Sequence, residues 1–261
     1  MQKTPVTADL AVFPQQMHDF LRHAQLFDSS SSPEAQVWFI DKGEGFYLKR
    51  AQKDALADEA AMTGYFYNKG LGVEVLNYIS DEQDWLLTRA AKGDDCTHLH
   101  YLAEPQRLSE VLGMELRALH DLSHEGCPVE NSTALYLGRL REGYAAGAFS
   151  KDMLIFDELP DTPDACYAYA MQRAALLRSN TLIHGDYCLP NIVLDNWRLS
   201  AFIDVAHGGV GDRHIDLFWG IWSLRYNLGT NRYTERFLDA YGRDRVDMMR
   251  LQAVSAMECF G

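Results

Sequence analysis

The segments LIHGDYCLPN (residues 182–191) and FID (residues 202–204) carry the most specific signal in this chain. Their polar residues form the pattern H-G-D-x4-N, followed by an Asp that two apolar residues directly precede. This pattern suits phosphoryl transfer: one carboxylate orients or accepts the proton of an attacking hydroxyl, while an amide and a second carboxylate hold Mg²⁺ on nucleotide phosphates. Mg²⁺ requires oxygen ligands and takes only one or two of them from protein. The two segments therefore indicate kinase chemistry.

The spacing of this pattern is specific. At average residue frequencies, H-G-D-x4-N arises by chance in roughly one chain in a thousand of this length, and the downstream Asp makes coincidence rarer still. The pattern mirrors the H-x-D-x4-N catalytic loop of protein kinases, with Gly185 where those enzymes carry Arg. The competing interpretation makes Asp186 a turn residue and Asn191 a cap.

The composition is that of a soluble globular protein, with 47% hydrophobic and 23% charged residues among 261. The beginning of the chain lacks the apolar stretch of a secretory signal, and the longest apolar patch, Leu217 to Leu224, is too short to span a bilayer. Five cysteines without a C-x-x-C pair indicate neither a disulfide framework nor a zinc site, so we expect a cytoplasmic location. The net charge of −13 disfavours nucleic acid and anionic membranes as partners and favours cations.

The hydrophobic pattern changes near Gly93, from mainly strands to mainly helices. Before it, the sequence predicts strands over Gln36–Asp41, Gly45–Ala51, Glu74–Ser80 and Trp85–Ala91, and a helix over Asp54–Gly70. After it, the sequence predicts helices over Pro105–Leu122, Ser132–Ala146, Asp164–Leu177, Asp216–Leu228 and Arg232–Tyr241, and strands over Asn191–Leu194 and Ser200–Asp204. We therefore predict an α+β protein with a small sheet-rich lobe (1–93), a larger, mainly helical lobe (94–261) and a ligand cleft between them.

Several segments together resemble a known family. The clearest are LIHGDYCLPNIVLD (182–195), FIDVAHGGVGDRHIDL (202–217), LRALHDLSHEGCPV (116–129), FDELPDTP (156–163) and MECF (257–260). Over nearly the whole chain, the sequence is similar to the aminoglycoside phosphotransferases, kinase-like antibiotic-resistance enzymes, and within them to the enzymes that act on a 3′-hydroxyl. The resemblance implies a two-lobed protein-kinase-like fold, Mg²⁺ as cofactor, and ATP, or GTP in its place, as co-substrate.

The resemblance implies a role for each matching position. Asp186 would be the catalytic carboxylate, and Asn191 and Asp204 would be Mg²⁺ ligands. Lys49 would contact the α- and β-phosphates and would pair with Glu59. Two other acidic residues are alternatives for the partner of Lys49: Asp58 and Glu44.

The phosphate loop departs from that of protein kinases, because neither G-x-G-x-x-G nor the Walker lysine motif is present. The run from Ser29 to Pro33, which contains Ser31, matches the serine-bearing loop of the resembled family. Backbone N–H groups and hydroxyls can cradle phosphate there, and a flexible solvated linker is the alternative. Adenine would be held by backbone groups near Arg89 and Ala91.

Aminoglycosides are polycations, so the resemblance implies an acceptor cleft lined with carboxylates. The matching residues are Asp157, Glu158, Asp161 and Glu258. For the first three, a polar loop that connects two helices is the alternative. Four positions depart from the family pattern and leave the drug spectrum open. Met257 stands where an acidic residue is common, and His207 stands where others carry Arg. Trp222 and Tyr226 stand where some relatives carry Arg and Glu.

Other polar residues are interpreted as scaffold. Asp216 would brace the catalytic loop, and His184 would hydrogen-bond nearby backbone. Two histidine pairs have spacings that metal sites use, although solvated or capping histidines are the simpler interpretation: His98 with His100, and His120 with His124.

We therefore expect a monomeric, ATP-dependent kinase that phosphorylates the 3′-hydroxyl of an aminoglycoside. The alternative keeps the reaction and changes the acceptor to choline, homoserine, a fructosamine or a macrolide; a choline kinase would need an aromatic cage, for which Trp222 and Tyr226 are candidates. A nucleotide-binding module without turnover is a third hypothesis. It is disfavoured because all four core residues are present: Lys49, Asp186, Asn191 and Asp204.

Overall fold

The amino-terminal part of the chain forms an antiparallel sheet. In this computed structural model, which describes residues 3–7, 9–31 and 35–261, six strands lie in the order β1-β2-β3-β4-β6-β5. Their bounds are Thr4–Val6 (β1), Gln25–Asp28 (β2), Gln36–Asp41 (β3), Phe46–Gln52 (β4), Val75–Ser80 (β5) and Gln83–Arg89 (β6). Trp38, Ile40 and Leu48 are buried on one face, because every second side chain of a strand points the same way.

Helices and short strands build the rest of the chain. The helices are His18–Leu21 (α1), Ala57–Asn68 (α2), Leu99–Leu102 (α3), Pro105–His120 (α4), Ser132–Ala145 (α5), Pro163–Arg173 (α6), Arg213–Leu228 (α7), Thr234–Tyr241 (α8) and Met248–Glu258 (α9). The strands are Asp94–Asp95 (β7), Thr181–Ile183 (β8), Ile192–Asp195 (β9), Arg198–Phe202 (β10) and Gly209–Gly211 (β11). Strand β9 pairs with β7 and β10, and β8 pairs with β11.

Helix α2 attaches the sheet to the helical part. Its residues Met62 and Phe66 are fully buried in the large hydrophobic core that the later helices form, whereas the sheet has a separate core around Trp38. Just after α2, the main-chain oxygen of Leu71 accepts a hydrogen bond of 2.7 Å from the N–H of Phe202. Although α2 precedes Gly93, it therefore packs with the helical part.

All the elements predicted from the sequence are present, with ends that differ by at most four residues, as where Leu177 was predicted to end α6 and Arg173 ends it. Several elements were not predicted, among them helix α9, the paired strands β8 and β11, and the short elements β1, β2, β7, α1 and α3. Helix α9 buries almost every residue from Leu251 to Glu258, so it lacks the polar face that produces a helical pattern. Strands of three residues are too short to produce an alternating pattern.

The predicted lobe boundary at Gly93 lies in a tight turn after β6. The backbone of Gly93 has a φ of +100°, and a Cβ atom there would lie 2.1 Å from the main-chain oxygen of Leu194. Only glycine fits this turn, because other residues rarely adopt that φ and no room exists for a side chain. None of the helices in the described ranges combines the length and apolar character that crossing a membrane requires.

Candidate active site

A buried carboxylate fixes the loop that follows β8. Asp216, on α7, accepts hydrogen bonds of 2.7 Å from the N–H groups of His184 and Gly185. Gly185 has a φ of +85°, and a Cβ atom there would lie 2.1 Å from the main-chain oxygen of His207. The loop therefore turns where only glycine fits, and it presents Asp186 on its open side.

The predicted bracing role of Asp216 extends to a second layer. His120 is buried and lies with Nε2 3.0 Å from Asp216 and Nδ1 2.8 Å from the Tyr241 hydroxyl. Burial lowers the pKa of His120, so the neutral ring donates to the carboxylate and accepts from the hydroxyl. The prediction of a solvated or capping histidine is wrong for His120, because the helix end that carries it packs against α7 and α8.

The other three histidines of the two predicted pairs are exposed, as predicted. His98 and His100 are exposed with their Nδ1 atoms 2.8 Å apart, and Asp94 lies close to both. His124 is also exposed. None of these side chains reaches the loop that carries Asp186.

The predicted catalytic carboxylate and the predicted amide ligand are in contact. The Nδ2 group of Asn191 donates to Oδ2 of Asp186 at 2.8 Å and to the Asp186 main-chain oxygen at 3.0 Å. This pair of bonds fixes the Asp186 side chain. Because the nitrogen of the amide is committed, its oxygen is left available to a cation.

A second group of charged residues spans the sheet and the helical part. Lys49, on β4, donates to Glu59 on α2 at 2.7 Å and to Asp204, which follows β10 in the chain, at 3.1 Å. Burial alone would lower the pKa of Lys49, but the negative charges of Glu59 and Asp204 outweigh it and raise that pKa, so the ammonium stays charged. The neighbouring candidates Asp58 and Glu44 do not contact Lys49.

The donor set formed by Asn191 and Asp204 fits Mg²⁺. Both residues offer oxygen atoms, which this ion prefers. Lys49 bonds to Oδ1 of Asp204, so the other carboxylate oxygen remains available. Asp204 has a φ of +58°, an unusual backbone conformation for a residue other than glycine. Backbone strain of this kind often accompanies functional positions.

The predicted nucleotide contacts come from two internal strands of the sheet, since Ser31 follows β2 and Arg89 ends β6. Ser31 is exposed beside a turn in which Asp28 accepts from the N–H of Ser30 at 2.9 Å. Ser32 and Pro33, which belong to the predicted phosphate loop, lie outside the described residues. The side chain of Arg89 donates to the Glu74 carboxylate at 2.9 Å, and its N–H donates to the Glu74 main-chain oxygen at 3.0 Å, so its contact with adenine stays a prediction.

Beyond Asp186 lies a cavity of about 550 Å³. Its polar lining comes from the catalytic loop, the turn before β11, helices α5 and α7, and the end of α9: Tyr136, Arg139, Glu142, Asp186, His207, Trp219 and Glu258. The predicted acceptor residue Glu258 therefore shares a cavity with Asp186. The contribution of α5 was not predicted, although Tyr136, Arg139 and Gly143, at spacings of three and four residues, mark one helix face with an arginine in it.

The three predicted loop carboxylates do not line this cavity. Asp161 forms an exposed ion pair with Lys151 at 2.8 Å, and Glu158 accepts from Gln252 at 2.7 Å. Asp157 is exposed. The loop that carries them passes over the outside of α9, so their role as acceptor contacts stays a prediction.

Glu258 is the most perturbed carboxyl group in the cavity. Burial, reinforced by the negative charge of Asp186, raises the pKa of Glu258 to about 8. Its Oε1 atom is buried without a hydrogen-bond partner among the described residues. A donor on a bound molecule would satisfy this oxygen, and a cationic donor would also favour the ionised form.

A Lys–Glu pair that meets an Asp–Asn loop at the junction of a sheet and a helical bundle defines a kinase-like phosphotransferase. The chain belongs to the phosphotransferase enzyme family, whose sequence model matches residues 23–253. This confirms the enzyme class predicted from the sequence, a phosphotransferase with a hydroxyl group as acceptor.

Individual relatives agree with this assignment. The chain is 46% identical over 250 residues to a probable aminoglycoside 3′-phosphotransferase of Lactococcus lactis subsp. lactis (strain IL1403), covering 95% of each chain. It is 30% identical over 214 residues to an aminoglycoside 3′-phosphotransferase of Streptomyces fradiae, covering 78% of this chain and 79% of that one. The resemblance to the aminoglycoside phosphotransferases is therefore confirmed.

The fold is also shared with solved structures. The crystal structure of a type VIII aminoglycoside-3′-phosphotransferase matches with a TM-score of 0.75 at 22% identity, covering 95% of this chain and 100% of that chain. An APH(3′′)-Id structure from Streptomyces rimosus, in complex with ADP and streptomycin, gives the same TM-score at 21% identity. These likenesses confirm the predicted two-lobed α+β fold.

Proposed function

We propose that this chain transfers the γ-phosphoryl group of ATP to the 3′-hydroxyl of an aminoglycoside. The observation that supports it most is the link between two bonded groups beside the cavity. The N–H of Ile203, next to Asp204, donates to the main-chain oxygen of Asn191 at 3.0 Å, so the group Lys49–Glu59–Asp204 adjoins the pair Asp186–Asn191. Asp186 in turn lines the cavity that contains further carboxyl groups. A phosphate adds about −1.5 to −2 charges to a cationic drug, which weakens its attraction to RNA.

Each residue then has a chemical task. Asp186, fixed by Asn191, orients the acceptor hydroxyl and takes its proton as the new P–O bond forms. Lys49, held in its charged form, binds the α- and β-phosphates of the nucleotide. Asn191 and Asp204 would hold Mg²⁺, which neutralises phosphate charge when it is bound.

We assign nucleotide binding to residues 1–93 and catalysis with acceptor binding to residues 94–261. Ser31 would approach the phosphates, while the backbone of Arg89 and Ala91 would contact adenine. The N–H of Ala91 has no hydrogen-bond partner within the described ranges, which leaves a donor for the base. GTP would use the same groups if it replaced ATP.

The acceptor would bind in the cavity beside Asp186. Glu258 and Glu142 provide carboxylates there, and the net charge of −13 attracts a polycation from a distance. A choline-type cage is not supported, because Trp222 and Tyr226 stack on each other with ring centroids 5.0 Å apart and do not line the cavity.

The test is coupled ADP release with Mg²⁺·ATP and a panel of acceptors: kanamycin, neomycin, a kanamycin analogue without the 3′-hydroxyl, choline and homoserine. We expect turnover on kanamycin and neomycin and none on the 3′-deoxy analogue. Turnover on the analogue would move the reaction to another hydroxyl. Turnover only on choline or homoserine would replace the acceptor, and nucleotide binding without any turnover would support the non-catalytic module.

A further inference from the structure

One side chain in the acceptor cavity has the opposite charge to its neighbours. Arg139 lines the cavity from α5, whereas the acidic lining residues are Asp186, Glu142 and Glu258. A site for a polycation gains nothing from a guanidinium in its wall, because like charges repel. The presence of Arg139 therefore asks for a separate explanation.

No described residue pairs directly with the side chain of Arg139. Its side chain is half-buried, and it forms no ion pair or hydrogen bond with any described residue. Glu142 lies one helical turn further along α5, at a spacing where ion pairs are common, yet the two side chains do not pair. A partly desolvated guanidinium without a partner is a donor group kept available for a ligand.

The surroundings of Arg139 indicate where its charge acts. After burial, the Arg139 charge is the largest influence that lowers the pKa of His207, and it also opposes the increase in the pKa of Glu258. The guanidinium therefore lies near both residues, between the catalytic loop and the end of α9. Because His207 is neutral under these influences, Arg139 is the one permanent cation of the described cavity lining.

We propose that Arg139 is a specificity-determining residue, which donates hydrogen bonds to a hydroxyl of the acceptor and excludes acceptors that carry an ammonium at that position. This inference rests on the proposed function. The cavity then has two kinds of contact: the carboxyl groups bind ammonium groups, and Arg139 binds a neutral oxygen. The preferred substrates are aminoglycosides with a hydroxyl on the ring segment that faces α5.

The experiment compares matched pairs of aminoglycosides that differ only in a hydroxyl or an amine at one ring position. The value of kcat/KM is measured for each member with the wild-type chain and with Arg139→Gln, Arg139→Lys and Arg141→Gln. Arg141 is the control, because it is exposed on the same helix and does not line the cavity. For at least one pair, we expect the wild type and Arg139→Lys to prefer the hydroxyl member by about tenfold, the scale of one like-charge contact at a half-exposed site.

Arg139→Gln should bring that ratio close to one, mainly through a lower KM for the amine member, and Arg141→Gln should keep the wild-type ratio. A ratio that stays the same in Arg139→Gln for every pair would overturn the role of Arg139 while the proposed function stands. An equal loss of kcat/KM for both members would show a structural role and would also overturn it. No turnover of any aminoglycoside by the wild type would refute the proposed function and this inference with it.

Discussion

The buried carboxyl of Glu258 makes the stability of the chain depend on pH. Burial raises its pKa to about 8, from an ordinary value of 4.5. A raised pKa means that the folded chain binds the proton more tightly than the unfolded chain. The stabilisation is therefore complete below pH 4.5 and is lost as the pH rises through 8. At about 1.4 kcal/mol per pH unit, the full effect is about 5 kcal/mol, of which about 3 kcal/mol falls between pH 6 and pH 9.

The substitution Glu258→Gln removes the titrating proton and keeps the shape of the side chain. The free energy of unfolding is measured by urea titration at pH 6, 7, 8 and 9 for both chains, and subtracting one curve from the other cancels the remaining titrating groups. We expect the wild type to lose up to about 3 kcal/mol relative to the variant across this range. Parallel curves would refute the reasoning, because they would show that Glu258 is already ionised in the folded chain over this pH range.

Three further substitutions test the rest of the site and the fold. Asp186→Ala should lower kcat at least about a hundredfold in the ADP-release assay and leave the Kd for ATP nearly unchanged, because the side chain acts on the acceptor hydroxyl; a smaller loss would contradict that role. Lys49→Ala should lower kcat/KM for ATP by about tenfold or more. Lys53 is exposed, so Lys53→Ala should leave kcat/KM for ATP unchanged, and equal effects of the two substitutions would show that Lys49 does not bind phosphate. Gly93→Ala should lower the melting temperature by several degrees, since a strained backbone of this kind costs about 1–3 kcal/mol. Gly126 is the control: its φ is +72°, but it has no neighbour within 4 Å, so Gly126→Ala should lower the melting temperature less. The reverse order would show that the close contact at Gly93 is unimportant.

The phosphoryl-transfer residues could be predicted from the sequence because their signal is local. Asp186 and Asn191 lie five residues apart in one loop, and Asp204 follows the next hairpin. Their spacing therefore specifies the chemistry without knowledge of the rest of the fold. Strands such as Gln36–Asp41 were equally accessible, because a short β-branched and aromatic run next to a turn signal is also local in the sequence.

The acceptor side could not be predicted in the same way. Whether Arg139 faces the cavity depends on how α5 packs beside the catalytic loop, and that packing joins residues far apart in the chain. The loop from Asp157 to Asp161 was assigned by its resemblance to the acidic loop of the family, but that match does not determine which side of α9 the loop covers. His120 shows the same limit, since only the approach of α7 and α8 buries it.

The face of α5 that borders the cavity also bears on how the drug spectrum of this enzyme can evolve. Gly143 cannot be replaced without moving the backbone, because a Cβ atom there would lie 1.7 Å from the main-chain oxygen of Phe260. Tyr136 is buried, so its replacement would leave a void. Arg139 is half-exposed and unpaired, and no residue of the phosphoryl-transfer loop depends on it for a bond. Of these three positions, Arg139 can therefore change at the lowest cost in stability, and a population under selection by a different drug should sample substitutions there early.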